Sequence, residues 1–139
     1  MASVVDAAGA ADLHMHTQYS DGQDSPAEVL EWAERVGLDV IAITDHDCID
    51  GAEIAADLAA RSGTGPDVIV GEEVSSHDGH ILGLFISRLI QPGMSAEDTV
   101  SAIHEQGGTS ERWTWAAAAD DLREWYRRAV DIEIPAKAA

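Results

Sequence analysis

Val40-Ile41-Ala42-Ile43-Thr44-Asp45-His46-Asp47 is the stretch that decides the fold. Four consecutive apolar residues leave no polar face, the pattern of a strand covered on both sides in a parallel sheet. The run stops abruptly at carboxylates and an imidazole, groups that are costly to bury without partners. The same arrangement recurs on either side. Upstream, Asp12-Leu13-His14-Met15-His16 predicts a short first strand over about residues 11–16, ending in two imidazoles. Downstream, Val68-Ile69-Val70 predicts a third strand that runs into Gly71-Glu72-Glu73-Val74. Ligand-type residues gathered at successive strand ends share one physical reason, the binding of more than one metal ion.

Helices are expected between these strands. Ser25-Pro26-Ala27-Glu28 is a helix start: Ser25 caps, Pro26 suits the first helical position and Glu28 closes a capping box. Leu30 and Ala33 follow at helical spacing, and Gly37 is the stop. Asp50 is expected to cap a second helix through about Arg61, ended by Ser62-Gly63. Ile81 to Ile86 predicts a fourth strand, joined to the third by a link short enough for the two to pair as neighbours. Ser95 caps a third helix through about Gln106, stopped by Gly107-Gly108. Repeated β–α units predict an α/β fold with a parallel sheet and right-handed crossovers. In such sheets sites form at the carboxyl ends of the strands, where the candidate ligands lie.

At 139 residues and 45% apolar content the chain is one domain's worth. It is short for a barrel of repeated β/α units, which typically takes about 250 residues. The net charge of −18 is concentrated in residues 1–108, where 20 acids face 3 bases (Arg35, Arg61 and Arg88); residues 109–139 hold 6 acids and 5 bases. A body this acidic repels duplex nucleic acid, because non-specific binding needs Lys and Arg on the phosphates. It attracts divalent cations instead, and an anionic substrate would take its positive charge from bound metal. Cys48 is the only cysteine, which rules out an intrachain disulfide and points to a reducing compartment. Residues 1–11 carry no signal-peptide pattern, and no apolar run approaches the roughly 20 residues that span a bilayer. The expectation is a soluble, cytoplasmic protein without a membrane partner.

Taken singly, the candidate ligands have ordinary readings too. His14 and His16, two apart on a strand, point to one face and suit a single ion, or are an exposed polar pair at a loop entrance. Asp21 sits in Ser20-Asp21-Gly22, where Asp-Gly is ordinarily a turn. His46 is flanked by Asp45 and Asp47, and helix capping is the ordinary role for Asp47 and Asp50. Glu72 and Glu73 alternate to opposite faces, so at most one points inward. Together, imidazoles and carboxylates suit Zn²⁺, Mn²⁺ or Fe²⁺ better than the hard cations Mg²⁺ and Ca²⁺. Two ions bridged by a carboxylate clamp the attacking and leaving oxygens of a phosphoester. No Gly-x-Ser-x-Gly elbow and no glycine-rich phosphate loop offers a rival scheme, and Cys48 is a small loop or helix-start residue.

Four ordered motifs carry a resemblance: Asp12-Leu13-His14-Met15-His16-Thr17 with Ser20-Asp21-Gly22; Ile43-Thr44-Asp45-His46-Asp47 with Gly51; Gly71-Glu72-Glu73-Val74-Ser75; and Gly79-His80-Ile81-Leu82-Gly83. Over about Ala11 to Gly108 the chain resembles the PHP (polymerase and histidinol phosphatase) family, most of all its stand-alone metal-dependent phosphoesterases. The resemblance implies the N-terminal portion of a distorted (β/α)7 TIM-like barrel, holding two or three divalent ions (Mn, Zn or Fe). It implies that His14 and His16 hold one ion, Asp21 and His46 a second, and that Glu73 bridges them. Glu72 takes the variable position. His80 corresponds to a family histidine that ligates metal or contacts substrate, with a structural strand-start role as the alternative. His77, a loop residue, and His104, on an outer helix position, match no ligand. The implied activity is hydrolysis of a phosphomonoester or phosphodiester of a small nucleotide by a metal-activated water. The types implied are a 3′,5′-nucleotide bisphosphate phosphatase or a 5′-to-3′ exoribonuclease.

Beyond residue 108 the motifs cease. The family continues with an apolar strand ending in His-Pro and later contributes an Asp-x-His pair, whereas here Thr109-Ser110-Glu111-Arg112 opens a stretch holding three of the four tryptophans and five of the eight basic residues. The expected organisation is a metal-binding part over 1–108 and a divergent tail over 109–139, with a helix across Asp120 to Val130. A shift of this kind is what a reading-frame change in a GC-rich gene would produce, with a natural short variant or an in-frame deletion as the alternatives, and the expectation is a truncated barrel. Two other readings follow: a truncated fragment that binds metal without catalysis, and a phosphatase of histidinol phosphate, which needs the same ligands.

Overall fold

The apolar run at Val40–Ile43 forms β2, the strand on which the rest of the sheet is arranged. The structure, a computed structural model, describes residues 9–112, and all of these but Gly9 fall in one compact unit, 10–113. The expected helix across Asp120 to Val130 lies outside the described residues. Along the chain come β1 (Ala11–Met15), α1 (Pro26–Val36), β2, α2 (Asp50–Ser62), β3 (Asp67–Ser76), β4 (Gly79–Leu84), α3 (Ala96–Glu105) and β5 (Thr109–Arg112). They make an α/β fold around one open five-stranded sheet in the order β1-β2-β3-β4-β5.

Local chemistry sets the boundaries. Ser25 and Glu28 make the full capping box, with Pro26 in the first turn, and Gly37 ends α1 in the left-handed conformation at φ 80. α2 starts differently from expectation: Ile49 occupies the cap without a side-chain bond, and Asp50 is already helical. Asp50 and Glu53 act there as first-turn acids facing the positive end of the helix dipole. Ser95 caps α3 by accepting from the Asp98 N–H.

The sheet is mixed, which corrects the expectation of a parallel sheet but agrees with the third and fourth strands pairing as neighbours across their short link. β1, β2 and β3 run parallel through the α1 and α2 crossovers, but β3 turns back into β4 at His77-Asp78 and β4 pairs antiparallel with β5. β3 is also longer than its apolar core, because Glu72 and Glu73 continue the ladder to Ser76. β5 forms from the polar Thr109–Arg112, where the sequence pattern calls for an apolar strand. A strand ladder is a backbone interaction, so polar side chains do not prevent it.

Two apolar clusters hold these layers together. Val29 and Ala33 of α1 and Ala52 and Ala55 of α2 pack on Ile41 and Ile43 of β2. On the other half, Ile103 of α3 packs with Val74, Ile81, Ile86 and Ile90. β2 is buried at all four positions, as a central parallel strand should be. Each fully buried Ile contributes about 1.5–3 kcal/mol, so the core that fixes β2 also fixes His46, three residues beyond its end. No helix among the described residues is long and apolar enough to cross a membrane.

Candidate metal centre

All six residues singled out from the sequence meet at one end of the sheet. His14 lies in β1 and His16 just past its end, and the pairing of β1 with β2 slips between Asp12 and Met15. Such an irregularity re-aims side chains near a site, and here the two imidazoles converge, Nε2 to Nε2, at 3.1 Å. His46 forms an isolated parallel bridge with Glu73, carrying the β2–β3 pairing beyond the apolar run. The antiparallel turn brings His80, at the start of β4, alongside the end of β3. A strand reversal thus does at this position what a βα loop does at the first two strand ends.

Glu73 is the centre of the group. Its Oε2 lies 2.8 Å from His14 Nε2, 2.8 Å from His16 Nε2 and 3.8 Å from His46 Nε2, while its Oε1 lies 2.9 Å from His80 Nδ1. Burial opposes the charge on Glu73, yet the hydrogen bond from His14 and the charges of His14, His46 and His16 outweigh it and hold the carboxyl below its usual range. Asp21, by contrast, is exposed. Its Oδ1 lies 2.5 Å from His16 Nδ1 and its Oδ2 3.3 Å from His46 Nε2. The hydrogen bond with His16 and the charges of His16 and His46 lower its pKa, against a smaller cost of burial.

The six residues make three overlapping sets with ligand atoms within 4.8 Å of one another: His14, His16 and Glu73; His16, Asp21 and His46; and His46, Glu73 and His80. Bonds of about 2.0–2.1 Å to a tetrahedral ion place its ligand atoms roughly 3.3 Å apart. Spacings of 2.8–3.1 Å in the first set are therefore close to those of a metal shell. The mixture of imidazole and carboxylate suits Zn²⁺, Mn²⁺ or Fe²⁺. The donor set fits the ions that the motifs imply.

The β1–α1 loop holds this geometry by close backbone approach. A Cβ on Gly22 would meet His16 O at 2.5 Å, so Asp21-Gly22 is more than a turn: only glycine lets the loop fold back on the strand end. Asp45 and Asp47 have structural partners that the sequence reading did not assign. Asp47, at φ 50, is not a helix cap; its Oδ1 accepts from the Ser75 N–H at 2.7 Å. Asp45 is fully buried and accepts from Thr17 and Ser20. The available signal for Asp45 was a carboxylate placed directly after an apolar strand, where it must be buried. Glu72, on the opposite face from Glu73, is also fully buried; its Oε2 accepts from the Ile90 N–H at 2.8 Å. Burial first, and the nearby Asp47 charge, push its carboxyl up to about 7 against the lowering effect of that bond. His77 lies in the β3–β4 turn and His104 is exposed near the end of α3, both away from the cluster.

Residues 12–132 match the PHP domain. The chain belongs to the PHP domain family. Its match continues beyond residue 108, so the family likeness is longer than the four motifs alone mark. The PHP chain is 38% identical over 109 residues, 70% of its length, to the uncharacterized protein MJ1587 of Methanocaldococcus jannaschii, of which it covers 63%. It is 34% identical over 124 residues, 82% of its length, to a 3′,5′-nucleoside bisphosphate phosphatase of Chromobacterium violaceum, of which it covers 42%. It therefore spans less than two thirds of either relative. In fold it resembles the crystal structure of a two-domain protein from Bacteroides vulgatus described as containing a predicted PHP-like metal-dependent phosphoesterase. There the TM-score is 0.61 at 22% identity, over 84% of this chain and 41% of that one.

Proposed function

We propose that this PHP chain is the metal-binding part of a phosphoesterase acting on a small nucleotide, with a nucleoside 3′,5′-bisphosphate as the preferred substrate class and a cytoplasmic setting. The observation that carries the reading is the convergence of four imidazoles and Asp21 around Glu73. The likeness to the Chromobacterium violaceum phosphatase supports the substrate class. His14, His16 and Glu73 would hold one ion, Asp21 and His46 a second, with Glu73 between them and His80 on its far oxygen. Divalent ions bound there supply Lewis acidity to a phosphoryl oxygen and lower the pKa of water.

The residues' own part is to hold and orient. Were His16 to offer Nε2 to an ion, its ring proton would sit on Nδ1 and donate to Asp21 Oδ1, so Asp21 would set the tautomer of His16 as well as facing His46. Among residues 9–108 the distribution of bases supports a metal as the phosphate-binding charge; Arg112, whose backbone pairs with Ile81 next to His80, is the remaining base of the described residues. Arg35 and Arg61 lie in the last turns of α1 and α2, whose first turns face the site. Thirteen helical residues put Arg61 roughly 20 Å down the axis, where it pairs with Asp57. Arg88 follows the end of β4, which runs back from the site.

The test is phosphate release from a nucleoside 3′,5′-bisphosphate with added Mn²⁺, beside a short 5′-phosphorylated RNA and histidinol phosphate. Fastest turnover of the bisphosphate, abolished in His14→Ala, is expected; equal rates for wild type and His14→Ala would overturn the reading. The alternative to be separated by the same assay is metal binding without turnover. Stoichiometric Mn²⁺ binding with no release from any of the three substrates would select it.

A further inference from the structure

Asp45 touches none of the candidate ligands with its carboxylate, yet it connects the three segments that carry them. Its side chain is fully buried. Oδ1 accepts from the Thr17 N–H at 2.7 Å and from the Ser20 hydroxyl at 2.6 Å, and Oδ2 accepts from the Thr17 hydroxyl at 2.7 Å. Thr17 follows His16 directly and Ser20 precedes Asp21 directly, so these three bonds grip the β1–α1 loop on both sides of its turn. Thr17 Oγ1 in turn accepts from the Tyr19 N–H at 3.1 Å, closing the loop on itself. The Asp45 carbonyl accepts from the Glu73 N–H at 3.1 Å, and His46 is its chain neighbour. The packing around the carboxylate leaves it no freedom. A Cβ on Gly51, in the first turn of α2, would stand 2.6 Å from both Asp45 Oδ2 and Thr17 Oγ1.

We infer that Asp45 is a positioning residue that sets His16 and Asp21 in register with His46 and Glu73. The physical case is that a buried carboxylate left with a lost donor, or a donor left without it, incurs its full desolvation cost. The loop therefore has one low-energy seat rather than several. The turn that carries Asp21 has backbone bonds of its own, from the Ser20 and Gly22 N–H to the Thr17 carbonyl and from the Gln18 N–H to the Asp24 carbonyl; the Asp45 carboxylate ties that turn to the segment carrying His46. The inference rests on the metal-centre reading but not on phosphoester turnover, and its test uses neither substrate nor product.

In Asp45→Asn one acceptor oxygen becomes an amide donor facing the Thr17 or Ser20 donors. In the metal-free chain, ¹⁵N NMR of the His16 imidazole reports its bond to Asp21, and the His80 ring serves as the internal reference. The expected result is a displaced His16 Nδ1 resonance with His80 unmoved, together with Mn²⁺ binding at least tenfold weaker. Loss of the spin-coupled Mn²⁺ signal by EPR is expected alongside. Gly51→Ala, which keeps the carboxylate but displaces it, and Ser20→Ala, which removes one donor, should give the same pattern in milder form. They carry the test if Asp45→Asn does not fold. Thr17→Ser, which retains the hydroxyl, should behave as wild type. Ser25→Ala, in the α1 cap, should lower stability without moving the His16 resonance. An unmoved His16 resonance in folded Asp45→Asn, or in folded Gly51→Ala and Ser20→Ala together, overturns the inference whatever the outcome of the turnover assay.

Discussion

His80 Nδ1 lies 2.9 Å from Glu73 Oε1, on the side of the carboxylate turned away from His14 and His16. A strand-start histidine with a purely structural role would be covered; the His80 side chain is 52% exposed and bonds to Glu73, itself a candidate ligand. His80→Ala should therefore leave the melting temperature of the metal-free chain nearly unchanged. It should weaken Mn²⁺ binding by on the order of 10–100-fold. Calorimetric titration of wild type and variant decides it, and equal affinities would assign His80 to the strand alone.

Glu72 offers a pH-dependent prediction on the opposite face of β3. Its pKa is raised from the ordinary 4.5 to about 7 in the fold, so the folded state holds the proton more tightly than the unfolded chain. Stability from this group is present below pH 4.5 and is lost as pH rises to 7. At 1.36 kcal/mol per unit the loss approaches about 3 kcal/mol. Glu72→Gln does not titrate and keeps an oxygen for the Ile90 N–H. In the presence of chelator, its melting temperature relative to wild type should rise between pH 5 and pH 8. A difference that is flat with pH would show that the carboxyl is ionised in the fold throughout.

Gly22→Ala places a methyl 2.5 Å from His16 O and 2.7 Å from His16 C, contacts to backbone that no rotamer relieves. A destabilisation of about 1–3 kcal/mol is expected, with weaker Mn²⁺ binding because the strain falls on the segment carrying His16. Chemical denaturation and metal titration should move together; a stability loss with unaltered binding would separate the loop from the site.

Ser25→Ala removes the acceptor for the Glu28 N–H and half of the capping box. It should cost about 1 kcal/mol and leave Mn²⁺ affinity as it was, since α1 presents no candidate ligand. Urea denaturation measures the first and calorimetry the second.

The residues that were legible in the sequence are those whose signal is local. Ser25, Pro26 and Glu28 announce α1 because a cap is a contact across three residues, and Val40–Ile43 announces β2 because burial on both faces leaves no polar position. The six candidate ligands were readable for a related reason: imidazoles and carboxylates at strand ends are anomalous unless something holds them. What escaped depends on partners distant in the chain. Asp47 reads as a helix cap until Ser75, 28 residues away, is seen donating to it. Asp45 differs from any other acid beside His46 only through Thr17 and Ser20. The pairing of β3 with β4 was legible in their short link, but the extent of β3 escaped because Glu72 and Glu73 read as the end of a strand, whereas the ladder runs through them to Ser76. Polar Thr109–Arg112 escaped for the same reason, since a backbone ladder is blind to side-chain polarity.

One carboxylate facing two different groups of imidazoles has a thermodynamic consequence. Because Glu73 presents Oε2 to His14 and His16 and Oε1 to His80, an ion drawing charge from one oxygen alters what the other oxygen offers. Were two ions bound there, their occupancies would be linked, and the free energy by which the first changes the binding of the second would equal that by which the second changes the first. A metal titration of this chain should follow stepwise macroscopic constants belonging to the pair. Removing Glu73 should shift the interdependence toward the mutual repulsion of the two cations as well as weakening each step.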